Sequence, residues 1–107
     1  MKQYKYDFYL GIADKDSFQP SDIEEAMARV CAALGAMQLG FSVIRQEGGY
    51  CHADGTFVTE DSLRITFIHN EHDEDIEETV RILMQEFNQE QVLVSKKLVD
   101  AHYCLEG

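Results

Sequence analysis

Arg45 and Arg64 are the two residues whose types and spacing best suit binding chemistry, and both lie in one predicted β-hairpin. The hairpin spans residues 41–69, and Asp54-Gly55 between its β-rich arms is typical of a type I′ turn. Counting outward from a two-residue turn places Arg45 opposite Arg64, which is unfavourable unless an anion lies between the two charges. Because guanidinium groups bind phosphate through paired hydrogen bonds, the hairpin is a candidate anion site.

Two observations leave the register and the role of the arginines open. Gly48-Gly49 in the first arm is typical of a β-bulge, which would shift the register by one residue. Each arginine could instead be an exposed strand residue that pairs with a nearby carboxylate, from Glu47, Glu60 or Asp61. In either register, we expect the two guanidinium groups to lie close together.

Further residues could complete a nucleotide site. A base requires an aromatic surface on which to stack, and a second strand of the same predicted sheet adds a positive charge. The loop after the first strand lacks the glycine spacing of a Walker or dinucleotide motif, but its backbone amides could help to hold an anion. The predicted ligand-binding residues are Arg45, Arg64, Tyr50, Tyr103, Phe57, Lys96, Asp14 and Lys15.

Residue types that can bind metals or attack substrates are present, but their spacing is not that of a known site. The histidines and cysteines form no zinc-finger pattern, and the acidic run over 71–78 lacks the spacing and glycine of an EF-hand. Nucleophilic catalysis by Cys51 or Cys104 would need an orienting group and an oxyanion site, which no motif supplies. We therefore predict no metal, no cofactor and no enzymatic activity.

Length and charge limit the classes of partner. The chain has 107 residues and a formal net charge of −11, which favours one globular domain and disfavours binding to duplex nucleic acid. Three cysteines without a CxxC pair predict no disulfide framework. Because the first residues do not resemble a signal peptide and no apolar run approaches a membrane span, we expect a cytoplasmic protein.

The hydrophobic pattern predicts the element order β-α-β-β-α-β. Residues 4–12 alternate with period two, and Ser21 with Glu24 has the spacing of a capping box at the start of a helix over the following residues. A second helix follows the acidic run, and residues 91–98 read as a strand that could continue to 105. The chain is thus predicted to be a single α+β domain over 1–107 with a ferredoxin-like fold. Its four-stranded antiparallel sheet would carry both helices on one face, with the first and third strands in the centre.

The other face of this sheet would have no cover within the chain. Aromatic residues such as Tyr9, Tyr50 and Phe57 are expected on it or near its rim. Because an exposed apolar sheet usually marks a partner or a ligand, we expect a homo-oligomer that packs through the sheet or its edge.

Four stretches of sequence resemble a family of phage proteins. The stretch YLGIADKD at 9–16 resembles an opening YxGLNDKD, with Ala13 in place of asparagine, and the stretches 40–44, 49–64 and 87–94 fit the same pattern. The family is the Thoeris anti-defence sponges. The resemblance implies a viral protein in the host cytoplasm that sequesters a cyclic ADP-ribose signal, or cyclic oligonucleotides, and so inhibits antiphage defence. It also implies dimers or higher oligomers with ligand sites between subunits, and no catalysis.

Two other functions remain open at this point. An acidic surface could mimic nucleic acid and occupy a basic protein partner, which would make the chain a protein–protein inhibitor. A small ferredoxin-like enzyme could use His52 or His102. Intact release of a bound nucleotide supports a sponge, a changed product supports an enzyme, and absence of binding favours the inhibitor.

Overall fold

The fold is an antiparallel sheet with two helices, seen in a computed structural model that describes residues 2–13, 16, 22–36, 40–51, 53–70 and 73–106. The elements are β1 (Gln3–Gly11), α1 (Ile23–Ala36), β2 (Ser42–Cys51), β3 (Phe57–Asn70), α2 (Asp73–Glu86) and β4 (Leu93–Val99). The strand order is β2-β3-β1-β4, and each neighbouring pair is antiparallel. The predicted ferredoxin-like α+β fold, with the first and third strands central, is confirmed.

The core lies between the two helices and one face of the sheet. Because side chains alternate along a strand, Tyr6, Phe8 and Leu10 of β1 are all buried on the side that carries the helices. The other buried apolar residues come from β3, both helices and the segments next to them: Ile12, Ala26, Val30, Leu34, Leu63, Ile65, Phe67, Ile76, Leu83 and Phe87. We call this side of the sheet the helix face and the opposite side the open face.

Asp22 caps the N-terminus of α1. Its Oδ1 accepts hydrogen bonds from the backbone N–H groups of Glu24 (3.1 Å) and Glu25 (3.0 Å). These are the second and third helical residues, whose N–H groups have no partner within the helix. The predicted cap at Ser21 falls outside the described residues, and the observed cap lies one residue later.

Arg29 connects the two helices. Its Nε donates to Glu86 Oε1 (2.9 Å), its Nη2 donates to the backbone carbonyl of Glu86, and its guanidinium carbon lies 4.5 Å from the centre of the Phe87 ring. The combined ion pair and ring contact fix the end of α2 against α1. Gln89 then donates to the carbonyl of Ala13 (2.5 Å), which ties the same end of α2 to the segment after β1.

The register of the β2–β3 hairpin differs from the prediction. Cys51 pairs with Phe57, and the ladder runs without interruption from there to Ser42 opposite Thr66. Five residues therefore lie between the two members of the last pair, where the prediction had two. The predicted bulge at Gly48-Gly49 is wrong, because both glycines pair in register with β3. Arg45 lies opposite Leu63, and Arg64 lies opposite Ile44.

The turn itself explains this register. Asp54 Oδ1 accepts the backbone N–H of Thr56 at 2.9 Å, so that amide is used within the turn instead of in a strand pair. Gly55 has φ of +90°, a conformation that glycine adopts without strain. The hydrogen bonds from the backbone and side chain of Thr56 lower the pKa of Asp54 from its ordinary value of 3.8.

The strand at the C-terminal end is shorter than its longest predicted form. β4 ends at Val99, and residues 100–106 have no regular secondary structure. Among the described residues, no helix is long and apolar enough to cross a bilayer.

Truncating the core at Leu63 is expected to destabilise the fold strongly. Leu63 is fully buried on β3, so Leu63→Ala should lower the free energy of unfolding by about 2–5 kcal/mol through lost burial and a cavity. Leu105→Ala is the matched control, because Leu105 is exposed and should change the same quantity by less than about 0.5 kcal/mol. Urea unfolding at one protein concentration measures both, and equal effects would contradict the assignment of the core.

The turn predicts a specific acid response. Since the pKa of Asp54 is lowered in the folded state, its contribution to stability is present above pH 3.8 and is lost as pH falls through the lower folded pKa. An NMR titration of the Asp54 carboxyl should therefore give a midpoint below 3.8. A midpoint at or above that value would mean that the Thr56 hydrogen bonds do not form in solution.

Candidate functional site

Register places the charged residues of the open face in rows across the sheet. One row consists of Ile68 on β3, Lys5 on β1 and Lys97 on β4, each paired with its neighbour. Directly opposed residues in an antiparallel sheet have Cβ atoms about 4.5–5.5 Å apart. Two lysines are therefore directly opposed at this point of the open face, and such a pair of like charges is unfavourable without a counter-charge.

Asp7 supplies part of that counter-charge. Its Oδ2 lies 3.8 Å from Lys5 Nζ, and its Oδ1 accepts a 2.5 Å hydrogen bond from the Thr66 hydroxyl. Asp7 belongs to the next row, with Thr66 on one side and Ser95 on the other. The carboxylate near Lys5 thus already accepts a hydrogen bond from a hydroxyl, and Lys97 adds a further positive charge to this row.

Arg64 adds a third cation to the same face, one row further along. It lies between Ile44 on β2 and Tyr9 on β1, in the interior of the sheet. Its Nε is buried and has no hydrogen-bond partner among the residues that the structure describes. An unpaired buried donor normally costs about 1–3 kcal/mol, so the Nε of Arg64 is a polar atom that the described part of the chain leaves unsatisfied.

A cavity of about 210 Å³ opens at the end of the open face next to the lysines. Its lining residues are Gln3, Ile68, Ala101, His102 and Tyr103. Ile68 is 48% exposed, and Tyr103 is 92% exposed. The cavity therefore combines an apolar floor, an amide and two rings from the segment after β4, which are groups suited to a planar heterocycle.

The charge of this face contrasts with that of the whole chain. We consider the described residues of β1 and β4 and those parts of β2 and β3 that lie over the core. Their charged side chains on the open face are three positive ones, Lys5, Arg64 and Lys97, and one negative one, Asp7. The chain as a whole has a net charge of −11. A surface of this kind attracts small anions locally, while the rest of the molecule repels large polyanions.

Several residues predicted for one site lie on opposite faces. Because Arg45 is paired with Leu63, it projects on the helix face, whereas Arg64 projects on the open face. Arg45 instead forms an exposed ion pair with Asp61, with Nη2 to Oδ2 at 3.3 Å. The prediction that the two guanidinium groups lie together is wrong within one chain, and the alternative interpretation of Arg45 as a paired strand residue describes its observed contact.

Phe57 and Lys96 also belong to the helix face. Phe57 is the first residue of β3, seven residues and roughly 23 Å along the strand from Arg64. Because Phe57 alternates in step with Leu63 and Ile65, it does not lie on the open face, and of the expected places only the rim of the sheet is left for it. Lys96 Nζ lies 4.2 Å from the centre of the Tyr4 ring, in a cation–π contact on that side of the sheet.

The remaining predicted residues divide into two groups. Tyr103 lines the cavity at the open face. The backbone of Tyr50 pairs with that of Val58, while its side chain lies outside the described residues, as do Asp14 and Lys15. Whether any of these residues contacts a ligand stays a prediction.

Lys5 was missed by reading the sequence, and only Lys96 was chosen from the Lys96-Lys97 pair. The expectation that an anion lies between like charges of a strand pair was applied to the hairpin, where the turn length was wrong by enough to change faces. The useful signal was a lysine at an outward position of the first strand together with the Lys96-Lys97 pair in the last strand. Only the β1–β4 register shows which of these lysines meet.

Histidine, cysteine and acidic residues do not assemble a metal site in the part of the chain that the structure describes. No group of three such side chains lies close enough to hold an ion there. Cys31, Cys51 and Cys104 are all exposed and unbonded.

Removing one of the facing lysines should change both stability and anion binding. Lys97→Gln relieves the repulsion with Lys5, so the ligand-free protein should gain about 0.2–1 kcal/mol in unfolding free energy. The rise in melting temperature caused by inorganic pyrophosphate should shrink in the same variant. Lys2→Gln removes the same charge from an exposed residue and is the control. The same pyrophosphate response in both variants would argue against an anion site at the lysines.

Comparisons with known proteins place the chain among solved structures of similar fold. A scan against protein-family models and a search of curated proteins find no match. A phage SAM lyase in complex with S-methyl-5′-thioadenosine matches with a TM-score of 0.62 and 24% identity, over 90% of this chain and 81% of that chain. The apo state of a phage SAM lyase has the same score and identity, over 91% and 81% of the two chains. A B. subtilis GlnK–ATP complex matches with a TM-score of 0.58 and 10% identity, over 90% and 82%. The chain is thus similar to these proteins in having a ferredoxin-like fold of the GlnK type.

Proposed function

We propose that the chain binds a small anionic adenosine compound on the open face of its sheet and sequesters it. The observation that carries this proposal is the facing pair Lys5 and Lys97 beside the cavity lined by Tyr103. The resemblance to phage sponges specifies the ligand class as a cyclic ADP-ribose isomer or a related cyclic nucleotide. The biological role is then inhibition of a host antiphage defence.

Each part of such a ligand has a suitable counterpart. The pyrophosphate would lie between the two lysines, because a divalent anion relieves their mutual repulsion. Adenine would enter the cavity and stack on Tyr103, since base–aromatic stacking contributes about 1–3 kcal/mol. Ribose hydroxyls would face the row of Asp7, Thr66 and Ser95. Arg64 lies four residues from Ile68 along β3, about 13 Å, so it would reach the far end of an extended ligand.

The ligands named for the similar structures agree with this chemistry. S-methyl-5′-thioadenosine and ATP both contain adenosine, as does cyclic ADP-ribose. Sequestration requires affinity without proton transfer, and the lysines and arginine of the open face are donors that suit phosphate oxygens. These points favour a binding protein over an enzyme.

Cleavage of S-adenosylmethionine is the second candidate, and it is favoured by the similarity to the phage SAM lyase. The charge of the open face opposes it. S-adenosylmethionine carries a sulfonium cation, which two facing lysines repel, whereas a phosphate-bearing ligand is attracted. A lyase would therefore need a site elsewhere on the chain or a different arrangement of charge.

One experiment separates these functions. The protein is incubated with a cyclic ADP-ribose isomer, ATP or S-adenosylmethionine, desalted and heated, and the released compounds are identified by mass spectrometry. Intact cyclic ADP-ribose in the released fraction supports sequestration. S-methyl-5′-thioadenosine formed from S-adenosylmethionine before desalting and heating, above the amount in a protein-free sample, supports a lyase. No retained nucleotide would favour a protein–protein inhibitor and contradict the proposal.

The two arginines provide a matched pair of variants. Arg64→Ala should weaken binding at least about tenfold, because a charge-assisted hydrogen bond contributes roughly 1.5–3 kcal/mol. Arg45→Ala should leave the affinity within about threefold, since Arg45 lies on the other face and pairs with Asp61. Thermal shift measures both, because ligand at about 100 times Kd should raise the melting temperature by roughly 10–20 °C. Equal losses in the two variants would remove the open face as the site.

A further inference from the structure

Gln3 supplies the amide of the cavity at the end of the open face. It belongs to the open-face row next to that of the facing lysines, where it pairs with Asn70 on β3 and with Val99 on β4. The side chain is half-buried, and within the described part of the chain no hydrogen bond engages its amide. The amide therefore has a donor and an acceptor that a ligand in the cavity can use.

Two differences make Gln3 better suited than His102, the other polar side chain of the cavity, to select a base. His102 is exposed, so water competes for the hydrogen bonds of its ring. An imidazole also presents a single nitrogen to one edge of a ligand, whereas a glutamine amide presents a donor and an acceptor side by side. Gln3 can therefore match two neighbouring groups on a base and reject a base that carries a different pair.

The spacing of Gln3 and Lys5 along β1 suits the two ends of a nucleotide. The two residues are consecutive on the open face, which is about 7 Å along a strand. Ribose joins a base to its 5′-phosphate over a short distance of this kind. A nucleotide whose phosphates lie at Lys5 and Lys97 would therefore place its base in the cavity, within reach of Gln3.

The position of the phosphate also determines which edge of the base is near Gln3. In the anti conformation of a purine nucleotide, the 5′-phosphate lies on the side of the base that carries N7. Because Lys5 follows Gln3 on the same face, this side of the base is the one closer to both residues. On adenine, the edge presents the N7 acceptor beside the N6 amino donor, and a glutamine amide can pair with both groups at once.

We propose that Gln3 makes the cavity specific for adenine, by donating from its amide nitrogen to N7 and accepting from the N6 amino group. This inference rests on the proposed function, because it concerns the base of that same ligand. Guanine and hypoxanthine carry an oxygen in place of the amino group, so both positions on this edge are acceptors and one of them would face the amide oxygen. The site would therefore bind adenosine compounds and reject their guanosine and inosine counterparts.

Three diphosphates that differ only in the base test this specificity. ADP has both groups on the edge, IDP lacks the N6 amino group, and 7-deaza-ADP lacks the N7 acceptor. In isothermal titration calorimetry, the wild type should bind ADP at least about fivefold more tightly than either analogue, because a two-bond match to a base edge discriminates by about that factor or more. Gln3→Leu should bind the three compounds with affinities equal to within about twofold, since leucine makes no hydrogen bond to the base.

A second variant should reverse the preference. Arginine donates two hydrogen bonds side by side, which match N7 and O6 of hypoxanthine, so Gln3→Arg should bind IDP at least about threefold more tightly than ADP. The ratio of the two affinities is the measure, because the added charge acts on both compounds. Gln91→Leu removes an amide from an exposed residue before β4, at the other end of that strand from Val99, and should keep the wild-type preference. Circular dichroism confirms that each variant is folded.

Inorganic pyrophosphate separates failure of this inference from failure of the proposed function. If neither pyrophosphate nor ADP binds the wild type, the proposed function is contradicted and the inference falls with it. If ADP binds but IDP and 7-deaza-ADP bind equally well, or if either variant of Gln3 keeps the preference for ADP, only the inference is overturned. A preference for ADP that disappears in Gln3→Leu and reverses in Gln3→Arg supports it.

Discussion

The register of the central strand β3 is the constraint on which the rest of the structure depends. β3 pairs with β1 over nine residues and with β2 over ten, so its alternation fixes which side chains of three strands share a face. Leu63, Ile65 and Phe67 are buried under the helices because of this alternation, and Arg64 and Thr66 are consequently on the open face. A shift of one residue would bury the arginine and expose the leucine, so core packing and the position of the charge are determined together.

The same pairing brings together groups that are far apart in the sequence. Lys5 and Lys97 are separated by nearly the full length of the chain, yet they are paired because the edge strand β4 lies next to β1 in the sheet. The carboxylate of Asp7 partly neutralises Lys5 and accepts a hydrogen bond from the Thr66 hydroxyl. The open face thus concentrates positive charge in a molecule whose net charge is strongly negative, and this contrast underlies its proposed preference for small anions over nucleic acid polymers.

Much of the fold was predictable from the sequence because its signals are local and repeated. Alternation in β1, two helical stripes and the Asp-Gly turn are sufficient to predict βαββαβ and the central strands. The site was harder to predict, because the number of residues in the β2–β3 turn determines the face on which each arginine lies. Asp54 accepts the amide of Thr56, and this single hydrogen bond makes the loop longer than an ideal type I′ hairpin. Arg45 and Arg64 consequently lie on opposite faces of the sheet, and no periodic pattern in the sequence predicts the length of the turn. The Lys5–Lys97 contact needs the β1–β4 register, which depends on packing of the whole sheet.

The facing lysines have a consequence for the lifetime of the protein in a cell. Their repulsion raises the free energy of the empty folded state, and an anion that neutralises them lowers it. Proteases act on the transiently unfolded fraction, so they would remove empty molecules faster than occupied ones. Under the proposed function, the abundance of the protein would then follow the supply of its ligand, so that occupied copies persist while the ligand is present and empty copies are cleared once it is gone.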